Sequence, residues 1–192
     1  MFNDRSTPLS LLATRRSGKA RDMAEPGPTP GQLERLLTVA ARVPDHGKLA
    51  PWRFVTIAAD RREALADVLE AAYRAEAGDP GRVALAAVRE FATGAPCLVV
   101  LMAKPLQLSK IPVREQELSV GAACGMLCAA ASAMGFVANW LTGWAACSPG
   151  VAAALCEPGE SIAGFFFIGT PTRELEERPR PDLTTVVRAW EG

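Results

Sequence analysis

The chain is expected to fold as one mixed helix-and-strand domain whose central sheet is covered by helices, and three features of its 192 residues carry that expectation. Cys97 to Ala103, CLVVLMA, is apolar at every position, the pattern of a strand buried on both faces. Leu118 to Phe136, LSVGAACGMLCAAASAMGF, holds no charge and almost no strong β-formers, so it reads as a helix buried on every side. Helical and strand-like patterns then follow one another as helix, helix, strand, helices, strand, helix, strand, helix, strand. The length suits a single core, and 49% hydrophobic against 22% charged residues is a globular balance.

In chain order, Thr7 and Pro8 supply a cap and a first helical residue, and Leu9, Leu11 and Leu12 carry that helix to Arg15, Arg16 and Ser17. Gly18 to Pro28 is polar and punctuated, and reads as extended chain or loop. Thr29 and Pro30 repeat the cap, Leu33, Leu36, Leu37, Ala40 and Ala41 share a face, and Pro44 ends the helix near Val43. A loop from Pro44 to Pro51 leads to a strand at Trp52 to Ala58, WRFVTIA, rich in aromatic and β-branched residues. Leu65, Val68, Leu69 and Ala72 stripe the next helix, Gly78 to Gly81 breaks it, and Val83 to Phe91 resumes before Gly94 and Pro96. After the Cys97 strand and a loop from Lys104 to Pro112, the long helix begins near Val113 with a charged first turn. Phe136 to Thr142 reads as a strand, Ser148 and Pro149 open a short helix, and Ile162 to Ile168 is a last apolar strand. Thr170 to Gly192 is charged and proline-rich, with Thr184 to Trp190 a candidate edge strand and the whole tail expected to reach a partner subunit.

Composition excludes several functions. With 21 basic and 21 acidic residues there is no net field to draw in nucleic acid or anionic lipid. The five cysteines, Cys97, Cys124, Cys128, Cys147 and Cys156, form no CxxC pair and read as reduced core thiols, which points to the cytoplasm. The start, MFNDRSTPLSLLATRRS, carries Asp4 early and lacks a signal-peptide core, so secretion is not expected. The uncharged run that continues to Cys156 invites a membrane reading. Its Ala, Gly, Ser and Cys give little transfer energy, and Asn139 and proline-glycine turns interrupt it. The single histidine, His46, leaves a His-based zinc site unsupported. No GxGxxG follows a strand and there is no GxxxxGK[ST], so neither a Rossmann site nor a P-loop is supported.

Three local groups remain as candidates. Arg15, Arg16 and Ser17 offer guanidinium forks and a hydroxyl suited to a phosphate, although basic residues at a helix C-terminus also suit its dipole. Arg42, Asp45 and His46 cluster around a proline-closed loop, the kind of segment that carries sites, where His46 equally suits a backbone cap. Asn139, Trp140, Leu141, Thr142 and Gly143 end a strand with polar and small residues that let backbone amides face a ligand, or simply close the strand. Cys124 and Cys128, one helical turn apart, read as inert small hydrophobes.

Taken together, RRS at Arg15 to Ser17, PTPGQLERLLTVAARVPDHGKLAPWRF at Pro28 to Phe54, EQELSVGAACGMLCAAASAMGF, NWLTG at Asn139 to Gly143, and GFFFIGTP at Gly164 to Pro171 resemble the FMN-dependent nitroreductase family, and within it the short bacterial subgroup with a Pro-Asp-His loop. The resemblance runs from about Leu11 to Pro171. It implies an α+β fold with a central, mostly antiparallel sheet flanked by helices, a long helix buried in a homodimer core, and two FMN sites across the interface. Residues 1–171 would form the FMN-binding domain and residues 172–192 an extension packing on the partner subunit. Arg15, Arg16 and Ser17 resemble the contacts to FMN from one subunit, and Arg42 and His46 those from the other. Trp140, Leu141 and Thr142 resemble the segment along the flavin, and Ala130 to Gly135 the NAD(P)H contact region. Relatives often carry a basic residue where this chain has Leu141, which leaves backbone contact there. The implied activity is ping-pong electron transfer from NADPH or NADH through FMN to a nitroaromatic, quinone or similar acceptor, with no catalytic side chain. An FMN-dependent oxidase or dehalogenase, or a non-catalytic FMN-binding protein, would use the same scaffold.

Overall fold

The structure, a computed structural model, describes residues 2–192. Its elements are α1 (Pro8–Thr14), β1 (Met23–Ala24), α2 (Pro30–Ala40), β2 (Trp52–Ile57), α3 (Arg62–Ala77), α4 (Arg82–Thr93) and β3 (Cys97–Ala103). They continue with α5 (Val113–Ala133), β4 (Val137–Leu141), α6 (Gly143–Cys147), α7 (Pro149–Leu155), β5 (Ser161–Pro171) and α8 (Leu183–Val186). The four strands expected before the tail all form. β1 is the addition, lying in the stretch read as extended chain or loop, and it exists because Met23 and Ala24 pair with Pro171 and Thr170 at the far end of β5.

Every strand pairing is antiparallel, and β5 is the hub, joined to β3, β4 and β1, with β2 outside β3. The sheet separates two cores by the side-chain alternation of its strands. Val99, Leu101, Phe166 and Ile168 face α2 and α5. Leu98, Val100, Phe165 and Phe167 face α3, α6 and α7. Both faces are covered, which is why β3 and β5 read as continuous apolar runs. Each of the fully buried Phe165, Phe166 and Phe167 contributes about 1.5–3 kcal/mol of transfer energy.

Thr29 forms a complete capping box with Gln32 at the start of α2, as the Thr-Pro signal predicts. At the other end of α5, Gly135 takes φ +93, and the amides of Gly135 and Phe136 bond to the carbonyls of Ser132 and Ala131. That is a Schellman cap, which requires a residue at ease in the left-handed region.

The expectations for α5 and for the end of the tail need correction. α5 is not buried on every side of this chain: Leu118 is 66% exposed, and Glu117, Gly121, Ala122 and Gly125 share its open stripe. A stripe of small uncharged residues has the same composition whether its own core or another chain covers it. Thr184 to Trp190 is not a strand, because the Asp182 carboxylate accepts from Thr184 N at 2.9 Å and caps the single turn of α8 instead. Val187 and Trp190 beyond it are exposed. The earlier part of the tail lies along its own chain, where Thr172 N and Oγ1 donate to the Asp22 carbonyl at 2.9 and 3.0 Å.

All five cysteines are free thiols. Burial pushes Cys97 up to about 11 and Cys124 up to about 12, as inert core thiols require. Cys147 departs from the core reading and is exposed. Among the described residues, no helix is long and apolar enough to cross a membrane.

Arg53 on β2 grips Glu160 with two bonds, Nε to Oε1 at 2.8 Å and Nη2 to Oε2 at 2.5 Å, and pins the turn before β5. The Arg53 bond holds the Glu160 carboxyl below its ordinary value. A depressed carboxyl stabilises the fold fully above its unfolded value of about 4.3 and ceases to do so as pH falls through its folded value. Denaturation midpoints of the wild type and Glu160→Gln should therefore differ at pH 7 and converge as pH falls through the lowered folded-state value. Parallel curves across that range would assign Glu160 no such role.

Candidate functional site

The chain leaves α1 at Arg15, whose ψ of 130 ends the helix. Asn3 fixes the exit: its amide donates to the Thr14 carbonyl at 3.1 Å and its Oδ1 accepts from Arg16 N at 2.8 Å. The Arg16 side chain is consequently drawn inward, and the residue is only 8% exposed. Nη1 donates to the Arg15 carbonyl at 2.9 Å, Nη2 donates to the Glu177 carboxylate, and Phe2 lies 4.7 Å beneath the guanidinium. Nε is buried with no partner among the described residues. Burial, and then the charges of Arg180 and Arg15, hold the Arg16 pKa below its ordinary value. Two guanidinium groups, those of Arg16 and Arg180, thus face the Glu177 carboxylate, with the Arg15 charge acting on Arg16 as well.

Arg180 was not a sequence candidate. Its signal, RPRPD, sits in a proline-rich tail whose path depends on the bonds of Asp22 and Lys19 to residues 172–176. Ser17 lies at the rim of a hollow of about 110 Å3 between residues 17–22 and that tail.

From Ser17 the chain crosses β4. A Cβ at Gly18 would sit 2.7 Å from Val137 Cγ2, so the crossing is close, and Ala20 N donates to Asn139 Oδ1 at 3.2 Å. The arginine segment is thereby tied to the strand that ends in Trp140, Leu141 and Thr142. Trp140 is 41% exposed, stacks on Phe166 at 5.6 Å, and donates its indole N–H to the Ala163 carbonyl at 3.1 Å. Its ring occupies the space over Gly164, where a Cβ would fall 2.1 Å from Nε1. Leu141 turns its side chain into the second core. Past the last strand pair the backbone bends sharply, Thr142 at φ −110 and ψ −80 and Gly143 at φ +54. A cavity of about 520 Å3 opens against this bend, walled by α3 and α4.

The Pro44–Pro51 loop is held by Asp45, whose carboxylate accepts from Leu49 N at 3.2 Å and Ala50 N at 2.8 Å. Those bonds support positive φ at Gly47, Lys48 and Ala50, the latter two strained for non-glycine residues. The loop presents His46, whose Nδ1 lies 2.8 Å from Glu115 Oε2 in the first turn of α5. Arg42 is exposed nearby in the chain. His46, Glu115, Ser119 and Ala122 line a shallow hollow of about 340 Å3 beside the open stripe of α5. Glu115, like Asp45, fixes this half and was read from sequence only as part of a charged helix start.

The two halves do not meet within one chain. The Arg15 charge reaches Cys128 near one end of α5, while His46 bonds to Glu115 near the other. At 1.5 Å per residue those positions are roughly 20 Å apart along the axis. Of the nicotinamide region, Ala130 is 5% exposed and packs in the core against the sheet, so its side chain faces no ligand. Gly135 is exposed, beside the Arg5 guanidinium.

An antiparallel sheet between helical layers defines an α+β fold that solved structures share. A nitroreductase-like family protein from Bacillus cereus superposes with a TM-score of 0.80 at 20% identity, covering 97% of both chains. A point mutant of the FMN and NADPH-dependent nitroreductase NfnB, derived from sphigopyxis sp. strain HMH, gives 0.73 at 21% identity, covering 97% of this chain and 99% of that one. The Nitroreductase family model matches residues 12–170, and the chain belongs to that family. "Putative NAD(P)H nitroreductase YdjA" of Escherichia coli (strain K12) is 38% identical over 164 residues, 85% of this chain and 87% of that protein.

Proposed function

We propose that this protein is an NAD(P)H-dependent flavin oxidoreductase that holds FMN between two copies of the chain. The observation that carries the reading is buried Arg16, with its orphaned Nε and its neighbours Arg15 and Arg180, tied to the exposed strand end at Trp140–Thr142. The relatives agree, since one bears an NAD(P)H nitroreductase name and a structural neighbour is named FMN and NADPH-dependent.

The residues present fit FMN. Arg15, Arg16 and Ser17 would take the phosphate, with Glu177 giving up its place on the Arg16 guanidinium. The backbone from Trp140 to Thr142 would run along the ring, and Arg42 and His46 of the second copy would close the site from the far side. Bound FMN would supply two-electron chemistry, which no side chain here provides. The protein's own part is to orient donor and acceptor over one opening and to exclude water from it. One opening for both implies a ping-pong order. The nicotinamide loses a hydride, and an acceptor such as a quinone gains that hydride and one solvent proton. Five free thiols fit a reducing compartment, and we place the protein in the cytoplasm.

Protein purified without added cofactor should be yellow or become so with FMN, and its spectrum should bleach anaerobically with NADPH or NADH. A colourless protein that takes up no FMN would overturn the reading. Bound FMN that neither nicotinamide reduces would leave only a flavin-binding protein.

A further inference from the structure

The donor edge of Arg16 is only half filled. On a guanidinium, Nε and Nη2 point along one edge and together donate to the two oxygens of a carboxylate, as Arg53 does to Glu160 in this protein at 2.8 and 2.5 Å. At Arg16 the same edge makes one bond. Nη2 donates to Glu177 Oε2, and Nε has no partner among the described residues. The reason lies on the other side of the carboxylate. Glu177 Oε1 accepts from the Arg178 amide at 2.9 Å and lies 4.0 Å from Arg180 Nε, so that oxygen is turned back to its own segment and cannot serve as the second acceptor.

Neither partner is placed to improve the fit. Lys19 Nζ donates to Glu176 Oε1 at 2.9 Å, Arg173 Nε lies 3.5 Å from Asp22 Oδ1, and Thr172 is bonded to the Asp22 carbonyl, so the segment that carries Glu177 is anchored on residues 19–22. The guanidinium is anchored through Nη1 on the Arg15 carbonyl and by the Phe2 ring beneath it. The Arg16 side chain is 10% exposed and that of Glu177 53%, so the carboxylate has water on its far side into which it can swing. A single-bond occupant that is half in water is a weak one. A phosphate group, with three outer oxygens and more charge, can accept from Nε and Nη2 together.

We infer that Glu177 is a built-in competitor for the phosphate end of the cofactor, one that slows the entry of FMN and leaves its departure unchanged. The inference rests on the flavin reading above for the identity of the ligand. One edge of one guanidinium cannot hold both anions, so phosphate binds the fraction of molecules in which the carboxylate has swung out. Apparent affinity falls by that fraction, and the association rate falls with it. Once phosphate fills the edge, Glu177 stands in solvent and has no part in how fast the ligand leaves. Riboflavin, which lacks the phosphate, does not contest the edge at all.

The test follows flavin fluorescence by stopped flow on apoprotein of the wild type, Glu177→Gln, Glu177→Asp and Glu176→Gln. Glu177→Gln keeps the side-chain shape but replaces a charge-assisted bond by a neutral one, about half as strong. It should bind FMN about fivefold more tightly, with the gain in the association rate and the dissociation rate within about 1.5-fold of wild type. Glu177→Asp keeps the charge but is one methylene short of Nη2, and should share the gain at about threefold or more, which separates occupancy of the edge from distant repulsion. Riboflavin affinity should stay within about twofold throughout. Glu176→Gln removes the same charge from the same tail where it faces Lys19, and should leave FMN binding within about twofold. An unchanged association rate in Glu177→Gln, or an equal gain with riboflavin or in Glu176→Gln, refutes the competitor and leaves the flavin reading standing wherever the wild type takes up FMN. A wild type that takes up no FMN removes the flavin reading. The competitor is then judged on inorganic phosphate, whose half-saturation, followed by melting temperature, should be about fivefold lower in Glu177→Gln, and an equal value would refute it.

Discussion

Arg16→Ala should weaken FMN binding by roughly 100-fold, the loss expected when a buried charge-assisted phosphate contact is removed. The guanidinium is inside the protein, its Nη1 and the residue's backbone amide are already committed, and its Nε has no partner among the described residues. A phosphate arriving there is offered two donors in fork geometry by exchanging with one carboxylate. Lys110→Ala is the control: this lysine is exposed, on the loop before α5, and its loss should leave the affinity within about twofold. Isothermal titration of both apoproteins with FMN checks the contrast, and equal weakening would count against the phosphate assignment.

Gly121→Glu should abolish both dimer and flavin. A Cβ at Gly121 meets nothing within 4 Å in the single chain, so the chain has room for the new side chain and gains helix propensity. Only a second copy laid against the open stripe would object, and a carboxylate buried there without a partner costs enough to dissociate a modest interface. Ala123, by contrast, is fully buried in its own core, so a charge there would damage the fold and say nothing about assembly. Size-exclusion chromatography with absorbance at flavin wavelengths reads both quantities together. A monomer replete with FMN would show that the halves are not shared between subunits.

Much of this architecture was legible because its signals are local. The Thr-Pro caps of α1 and α2, the apolar run of β3 and the small-residue run of α5 each announce an element without help from distant sequence. What escaped depends on long-range partners. β1 is two residues that become a strand only against Pro171 and Thr170, and Arg180 reaches Arg16 only because the tail folds back over Asp22. The facing of α5 was illegible for a different reason. Where most positions are Ala, Gly, Cys or Met, helical phase carries little hydrophobic contrast, so nothing marked Ala130 as inward. The motif residues of the site were readable as types, whereas their separation to the two ends of α5 was not.

That separation makes α5 a ruler. Glu115 and the neighbours of Arg15 are held at a spacing set by a single unbroken helix, and each residue inserted between them would add about 1.5 Å and swing one end by about 100° relative to the other. In a twofold assembly the same error would enter both sites at once. The helix can therefore vary freely in side chain along its inward face, provided volume is kept, but not in length. A cofactor laid across both halves, as proposed, would turn residue count itself into a fixed dimension of the fold.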